Sequence, residues 1–273
     1  MKNNMELISK RELLDIINIS VLAGKKIMEV YEQEFSVEIK NDNSPLTMAD
    51  KSSNEVIVDI LNNTDIPVLS EEGKLISYEE RSNWENLWIV DPLDGTKEFV
   101  KKNGEFTVNI ALVSNQKAVL GIIYVPVLKI LYFADKESGA FKLENIDVDY
   151  EFSSLDEIME KGNRLPEKQN DRKYTIVGSR SHMSTETEEF INKLKAQHGE
   201  IEFISKGSSL KLCEVAEGAA DIYPRFAPTM EWDTAAGQAI VEISGGKVYE
   251  AESKKALLYN KESLLNPWFI VTR

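Results

Sequence analysis

The clearest candidates for catalytic or metal-binding residues are two acids, three positions apart, that follow an apolar run. The run Trp88-Ile89-Val90 predicts a buried strand, which leads into Asp91 and Asp94. Gly95 and Thr96 come next. Carboxylates at the end of a buried strand are costly unless a cation neutralises them, and Mg²⁺ prefers hard oxygen ligands of this kind. The segment therefore predicts metal-assisted phosphate chemistry.

Two further acidic clusters, Glu71-Glu72 and Asp233, also precede a predicted turn or helix. Sheets of α/β proteins place their ligands at strand ends. Carboxylates gathered there would raise one another's pKa values, and two or three Mg²⁺ ions would remove that penalty. In a two-metal site one ion activates water, and both stabilise the transition state of an in-line displacement. Any single Asp could instead cap a helix, but three clusters together favour a metal site.

Three features beside these acids have their own interpretations. Pro92 disfavours helical backbone at Asp91, so the acids should wrap a turn in which the Leu93 carbonyl becomes a further oxygen ligand. Thr96 can begin a helix, where its hydroxyl orients a water or simply caps the helix. Asp50 also lies near a predicted helix start, and its position favours an N-cap.

Small and basic residues in the second half of the chain could bind a phosphate. Ser208, Ser209 and Lys211 open a predicted helix whose free N–H groups can hold a phosphate or a ribose, although capping is the favoured interpretation. Arg225 suits bidentate phosphate binding, with a solvated surface side chain as the alternative. His182 ends a segment of the same character that follows a predicted strand.

Apolar spacing and turn residues predict the elements that must position these groups. Predicted helices cover 6–33, a segment from Thr47 or Asp50 to Ile60, a short piece from Thr96, 184–197, 208–217 and 233–243. Predicted strands cover 36–40, 67–69, the run before Asp91, 106–113, 118–125, 130–134, 174–177, 201–204, 220–223, 246–249 and 269–272. Their alternation in the second half indicates a layered α/β architecture. Residues 144–172 are polar with little pattern, so we place a domain boundary or an excursion there.

Charge and composition exclude several classes of protein. The 273 residues include 46 acidic and 32 basic ones, a net charge of −14, whereas surface binding of nucleic acid needs basic patches. A single cysteine, Cys213, excludes an internal disulfide and fits a reducing cytoplasm. The polar start of the chain predicts no signal peptide, and no apolar run is long enough to span a membrane. Because the chain has only two histidines, carboxylates must carry most of any catalysis.

At these motifs the chain resembles the inositol monophosphatase superfamily of Mg²⁺-dependent, lithium-sensitive phosphatases, over nearly its whole length. The strongest matching motifs are residues 91–96 and 232–237. Four further segments, 69–72, 178–182, 207–211 and 223–229, resemble the branch of CysQ-type 3′(2′),5′-bisphosphate nucleotidases. The resemblance implies an α+β / α/β fold, a layered αβαβα sandwich. It also implies an α+β half at 1–145 with most metal ligands and an α/β half at 146–273 with nucleotide-binding elements, together one compact unit.

The resemblance also implies a role for each candidate residue. The implied metal ligands are Glu71, Asp91, the Leu93 carbonyl, Asp94 and Asp233. Asp91 would bridge two of two or three Mg²⁺ ions. Asp50 and Thr96 would activate the attacking water, so the resemblance, and not the spacing, makes Asp50 catalytic. The residues implied to contact the substrate are Glu71, Leu93, Asp94, Gly95, Thr96, His182, Ser208, Ser209, Lys211, Arg225 and Asp233.

The expected reaction is hydrolysis of adenosine 3′,5′-bisphosphate (PAP) to AMP and phosphate, with conversion of its sulfated form, PAPS, to APS as a candidate second activity. Inositol monophosphate or fructose 1,6-bisphosphate are alternative substrates of the same metal core. A non-catalytic nucleotide sensor is the alternative from another class. We expect a monomer or homodimer in the cytoplasm that acts on small nucleotides and not on nucleic acid. Peripheral attachment to the cytoplasmic face of the inner membrane stays open.

Overall fold

Helices and sheets alternate in five layers through the described part of the chain, which comprises residues 7–33, 45–167, 172–179 and 184–273 of this computed structural model. A pair of helices covers the outer face of a seven-stranded sheet. A second pair of helices separates that sheet from a five-stranded sheet, and a further helix covers the far side. The expected αβαβα sandwich is therefore confirmed.

The bounds of the elements are as follows. The helices among the described residues are α1 (Lys10–Tyr31), α2 (Pro45–Leu61), α3 (Tyr78–Arg81), α4 (Thr96–Val100), α5 (Leu155–Lys161), α6 (Thr185–His198), α7 (Leu210–Glu217) and α8 (Ala235–Ile243). The strands are β1 (Val68–Ser70), β2 (Asn86–Asp94), β3 (Thr107–Ser114), β4 (Lys117–Val125), β5 (Ile130–Asp135), β6 (Gly139–Leu143), β7 (Asn163–Arg164), β8 (Tyr174–Gly178), β9 (Ile201–Ser205), β10 (Ile222–Arg225), β11 (Lys247–Glu250) and β12 (Phe269–Thr272). Within this part of the chain, no helix combines the length and the apolar composition needed to span a bilayer.

The two sheets differ in their connections. In the first sheet β1 to β7 lie side by side in chain order, with β1 parallel to β2 and every later pair antiparallel. The second sheet has the order β11-β12-β10-β8-β9. Its strand β8 runs parallel to both β9 and β10, so helices must cross between these strands.

Alternating side chains give the first sheet two buried faces. On β2, Trp88 and Val90 pack with residues of α1 and α2, whereas Leu87 and Ile89 pack with residues of α7 and α8. Successive residues of a strand point to opposite faces, so a strand covered by helices on both sides is apolar throughout. The indole nitrogen of Trp88 donates to the hydroxyl of Thr64 at 2.9 Å, which satisfies its buried polar atom.

The second sheet repeats this arrangement. Val177 and Val271 face α7 and α8, whereas Ile176 and Ile270 face Ile191 of α6. Helices α7 and α8 are therefore buried between two sheets and join both into one apolar core. The start of α7, which carries the candidate phosphate-binding residue Lys211, belongs to this middle layer.

The structure corrects two expectations close to the candidate site. Helix α2 begins at Pro45, so Asp50 lies inside it and the N-cap interpretation of Asp50 is wrong. The turn expected from Asp91 to Asp94 is also wrong, because β2 continues to Asp94 with an irregular register. Asp50 therefore lies inside helix α2, and Asp91 and Asp94 lie on strand β2, which is held by its pairing with β3.

Other expectations have different outcomes. The helices and strands expected elsewhere among the described residues are present, with bounds shifted by a few residues. The elements α3, β6, α5 and β7 were not predicted, although α5 carries a recognisable start signal: the hydroxyl of Ser154 accepts from the backbone N–H of Glu157 at 3.1 Å. The strand expected at 36–40 lies outside the described residues. The division into halves at residue 145 stays a proposal.

Gly121 provides a test of how closely α8 packs on the first sheet. A Cβ atom at this position of β4 would lie 2.2 Å from the carbonyl oxygen of Ala236. We expect Gly121→Ala to lower the free energy of unfolding by about 1–3 kcal/mol, because backbone of β4 and α8 must move apart. Urea denaturation measures this change. An unfolding free energy equal to that of the wild type would contradict the close approach of α8.

Candidate active site

Three carboxylates meet where β2 ends. Asp91 and Asp94 come from β2 and Asp233 from the loop before α8, and one oxygen of each lies within 4.8 Å of the others. Asp91 is buried, and the other two are partly buried. The donors are all carboxylate oxygens, which fits a hard divalent cation such as Mg²⁺.

A β-bulge brings Asp91 and Asp94 to the same side of the sheet. Residues three apart on a regular strand point to opposite faces. Here Asp91 pairs with Asn109 and Asp94 pairs with Thr107, so β2 contains one residue more than β3 between the two pairs. The backbone N–H of Leu93 donates to Asp91 Oδ1 at 3.1 Å and stabilises the bulge. Both carboxylates can therefore face one ion site.

Two neighbouring elements bring further acids to the bulge. The backbone N–H of Glu71 donates to the carbonyl of Val90 at 3.1 Å, which continues the parallel pairing of β1 with β2. In α2 the hydroxyl of Ser53 donates to the carbonyl of Pro92 at 2.7 Å and fixes the helix that carries Asp50. Glu71 and Asp50 both affect the titration of Asp91, although neither belongs to the group of three.

Burial and mutual repulsion make this cluster unfavourable without a cation. Burial raises the pKa of the Asp91 carboxyl well above its usual range, and Asp94 and Glu71 raise it further. Burial also raises the pKa of Asp233 to about 7, with Asp94 as the next cause. In Asp50, burial and the charges of Glu72 and Glu71 raise the pKa to about 8. Such shifts indicate a site in which a cation compensates negative charge.

Glu71 is exposed as a residue, but its carboxyl group lies in the same field. Partial burial of that group raises the pKa of Glu71, and the charges of Asp94 and Glu72 act in the same direction. A hydrogen bond with the Asp91 carboxyl acts in the opposite direction. Glu71 is thus adjacent to the buried acid of the bulge, as a shared ligand position requires.

The loop that carries Asp233 is held by buried polar contacts. Met230 donates its backbone N–H to Asp233 Oδ2 at 2.8 Å. The side-chain amide of Asn266 donates to the carbonyl of Met230 at 2.7 Å. Glu231 is fully buried and accepts the backbone N–H of Lys261 at 3.0 Å and that of Asn260 at 2.6 Å. These contacts fix the loop before α8. The N-cap of α8 is Thr234, so the interpretation of Asp233 as a helix cap is wrong.

Gly95 allows β2 to turn into α4 beside the cluster. Its φ is 96°, a region that side chains disfavour, and a Cβ there would lie 3.2 Å from Cβ of Ser208 and 3.3 Å from Cα of Phe106. Gly95 is the N-cap of α4, so Thr96 is its first residue and the capping interpretation of Thr96 is wrong. The Thr96 side chain lines the adjacent cleft.

The serines before α7 bond to the carboxylate cluster instead of capping their helix. Helix α7 has no side-chain hydrogen bond at its N-cap, Ser209, which corrects the capping interpretation. Ser208 and Ser209 donate their hydroxyl protons to Asp94 Oδ2 at 2.6 and 2.9 Å. The helix start is therefore attached directly to the carboxylate site.

A cleft extends from the cluster toward two cations. It is lined by the expected residues Asp94, Gly95, Thr96, Ser208, Lys211, Arg225 and Asp233, together with Lys97, Glu98, Ser179, Gly207, Leu212, Tyr223, Thr229, Thr234 and Phe269. The Lys211 amine donates to backbone carbonyls of Lys206, at 3.4 Å, and of Ser208. Burial lowers the pKa of Lys211 to about 8, against the opposing effect of Asp94. The Arg225 guanidinium donates to the carbonyl of Pro228 at 3.1 Å.

The expected residues fall into three groups by position. Those in the cleft have been named above. Asp50, Glu71, Asp91 and Ser209 lie behind or beside it and do not line it, and the Leu93 side chain is buried against α1 and α2. His182 lies outside the described residues.

Sequence reasoning missed two buried polar residues of β3. Thr107 and Asn109 are 0% and 1% exposed and contact the serines before α7. The sequence signal is a pair of polar residues two positions apart in a largely apolar strand. Residues at this spacing point to the same face of the sheet. Such a pair on a buried face needs hydrogen-bond partners.

Comparisons with known proteins agree with the fold and site. The family model described as the inositol monophosphatase family matches residues 10–270. The 3′(2′),5′-bisphosphate nucleotidase CysQ of Salmonella typhimurium is 45% identical over 254 residues, which cover 92% of this chain and 95% of that protein. The Escherichia coli K12 protein of the same name is 44% identical over the same shares. The crystal structure of CysQ from Bacteroides thetaiotaomicron is 53% identical, covers 98% of both chains and has a TM-score of 0.92.

A more distant structure shares the fold alone. Inositol monophosphatase-II from Staphylococcus aureus MSSA476 is 22% identical, with a TM-score of 0.68 over 93% of this chain and 85% of that one. The family model and the relatives show that the chain is a phosphatase, and the carboxylate cluster beside a cleft with cations fits the metal dependence of that family. The chain belongs to the inositol monophosphatase family. The resemblance inferred from the motifs is thereby confirmed.

The raised pKa values predict how stability depends on pH. Folded-state pKa values of about 8 for Asp50 and about 7 for Asp233 exceed their unfolded values, so the metal-free folded protein binds more protons than the unfolded chain. The protonated carboxyls contribute their full stability at a pH below the pKa values that they have in the unfolded chain. This contribution is lost as the pH rises through the pKa values that they have in the folded protein. We expect the melting temperature in EDTA to fall between about pH 5.5 and about pH 8.5.

Added Mg²⁺ should raise the melting temperature more at the higher pH, because it binds deprotonated carboxylates. The Asp233→Asn variant serves as the control, since it removes one titrating group and should flatten the curve in EDTA. A Mg²⁺ effect of equal size at both pH values would contradict the assignment of these carboxylates to the metal site.

Proposed function

We propose that this chain is a 3′(2′),5′-bisphosphate nucleotidase that hydrolyses adenosine 3′,5′-bisphosphate to AMP and phosphate. The observation that carries this proposal is one cleft with two recognition sites for anions: the carboxylate cluster, suited to metal ions, and the cations Lys211 and Arg225. A substrate with two separate phosphates matches both. The relatives named CysQ support the same activity.

The negative charge of the chain makes the two cations, Lys211 and Arg225, informative about the substrate. A net charge of −14 repels a bisphosphate, so binding needs local cations. Within the described residues, no ion pair includes Lys211 or Arg225, so both keep charge for a ligand. Inositol monophosphate has no second phosphate for them. This difference favours the nucleotide bisphosphate over that alternative.

We assign the metal-ligand role to five groups. They are the carboxylates of Glu71, Asp91, Asp94 and Asp233 and the carbonyl of Leu93. The bulge takes Pro92 and Leu93 out of regular pairing with β3, which would leave a carbonyl available. When bound, two or three Mg²⁺ ions would supply charge compensation for the phosphoryl oxygens and activation of the attacking water.

The remaining catalytic roles belong to Asp50 and Thr96. The carboxylate of Asp50 would accept a proton from the attacking water, and the Thr96 hydroxyl would orient that water. Gly95 presents backbone without a side chain next to the scissile phosphate. Together these residues would set the direction of an in-line attack.

The contacts to the rest of the nucleotide are also proposals. Lys211 and Arg225 would bind the second phosphate, and Ser208, Ser209 and His182 would contact the remainder. We also propose action on PAPS to give APS. A monomer or homodimer in the cytoplasm, with peripheral association with the inner membrane as an option, remains our proposal for the working state.

A substrate panel tests the proposed function first. We would measure phosphate release from adenosine 3′,5′-bisphosphate, PAPS, inositol 1-phosphate and fructose 1,6-bisphosphate, each with Mg²⁺ and with EDTA. We expect Mg²⁺-dependent release from the nucleotides and little from either sugar phosphate. Preference for a sugar phosphate would overturn the substrate assignment, and nucleotide binding without turnover would favour the sensor alternative.

Asp94→Asn tests the metal core. It removes a ligand charge, whereas the amide oxygen can still accept the serine hydroxyls, so we expect kcat to fall by about 100-fold or more while the fold is kept. Asp59→Asn makes the same change at an exposed position of α2 and should leave kcat unchanged. Circular dichroism would confirm that both variants are folded. Wild-type turnover by Asp94→Asn at saturating Mg²⁺ would overturn the metal assignment.

A further inference from the structure

Both hydroxyl donors on Asp94 use the same carboxylate oxygen. Ser208 and Ser209 donate to Oδ2 at 2.6 and 2.9 Å. An ionised carboxylate oxygen can accept two such bonds, and the second oxygen then remains available for a cation. The pair of serines therefore decides which oxygen of Asp94 can face the metal site.

Each serine is in turn held by a buried side chain of β3. Thr107 Oγ1 lies 2.6 Å from Ser208 Oγ, and the Asn109 side-chain amide donates to Ser209 Oγ at 3.0 Å. Thr107 Oγ1 also lies 2.9 Å from Asn109 Oδ1, so Ser208 Oγ and Asn109 Oδ1 share its single hydroxyl proton. The two β3 residues are thus linked to each other and to both serines.

The protons in this network run in one direction. Ser208 and Ser209 have one hydroxyl proton each, and the anionic oxygen of Asp94 is the strongest acceptor within reach of both. The carbonyl of Asp233, 3.0 Å from Ser209 Oγ, is a neutral and therefore weaker acceptor for the second of these protons. With those protons on Asp94, the serine oxygens are acceptors, and Thr107 and Asn109 are the donors that face them. The strand therefore orients the serines, and the serines orient Asp94.

The backbone of Ser208 adopts an unfavourable conformation in this arrangement. Its φ of 48° lies in the left-handed region, which a residue with a side chain disfavours. The hydrogen bonds of its side chain to Asp94 and Thr107 hold it there. A simple helix start would not need a serine in this conformation.

We propose that Thr107 and Asn109 are positioning residues that act through Ser208 and Ser209 to fix the Asp94 carboxylate for metal binding. The inference rests on the proposed function, since it deepens the role of the same site. Partners behind a ligating carboxylate set its orientation, and their loss commonly weakens metal binding by 10–100-fold. The hydroxyl protons of the two serines are then directed to the carboxylate that would hold the metal.

Thr107→Val tests the network because it removes the hydroxyl and keeps the shape of the side chain. We would titrate the metal-depleted protein with Mg²⁺ alone, following its melting temperature and the heat of binding. The Mg²⁺ dissociation constant should rise by about 10-fold or more in Thr107→Val and stay within about threefold in Thr107→Ser, which keeps the hydroxyl. Asn109→Leu should weaken binding in the same direction.

Thr175→Val is the matched control. Thr175 is also a buried strand threonine, and its hydroxyl donates to the carbonyl of Lys173 at 2.9 Å, far from the network in sequence. It should lose stability in EDTA as Thr107→Val does but keep the wild-type Mg²⁺ constant. In the enzyme assay, excess Mg²⁺ should restore most of the kcat of Thr107→Val with an unchanged KM for the nucleotide.

The outcomes separate this inference from the proposed function. Wild-type Mg²⁺ binding by Thr107→Val and Asn109→Leu would overturn the positioning role, and so would weak binding by Thr107→Ser. If Thr107→Val fails to fold, the Asn109→Leu and Thr107→Ser constants decide. A wild-type protein that binds Mg²⁺ but releases no phosphate from nucleotides would overturn the proposed function alone. A wild-type protein without a response to Mg²⁺ would overturn both.

Discussion

The repulsion among buried carboxylates is the constraint on which the rest of the site depends. Oxygens of Asp91, Asp94 and Asp233 lie within 4.8 Å of one another, and burial raises the pKa of the first far above its usual range. No fold gathers such groups by hydrophobic burial alone, since each carboxylate loses hydration. The surrounding polar contacts hold the acids in place, which fits a site where a bound cation would compensate their charge.

Three separate elements meet to produce that cluster. The bulge in β2 turns two acids to one face, the contacts around Glu231 hold the loop with Asp233, and the serines before α7 hold Asp94. The hydrogen bonds between Asp94 and the serines span more than 110 positions in sequence. The five-layer sandwich brings these distant segments together because α7 and α8 are buried between its two sheets.

Local patterns in the sequence could predict the elements and the chemistry of the acids, and long-range contacts explain where prediction failed. The apolar run before Asp91 and the acid spacing are local, so the strand and the metal-type residues could be inferred. Asp50 was misplaced because α2 begins earlier and is fixed by a bond from Ser53 to β2, which no capping rule contains. The bulge was misread as a turn because its cause is the pairing with β3.

The division of labour between the two sheets has a consequence for how such proteins diversify. The carboxylates at the bulge belong to the first sheet, whereas Arg225 ends a strand of the second. If Arg225 binds the second phosphate as proposed, substitutions on β10 would alter which anion fits and would leave the carboxylates of β2 unchanged. A lineage with this architecture could then exchange one phosphate ester for another while the carboxylates that would hold a metal stay the same.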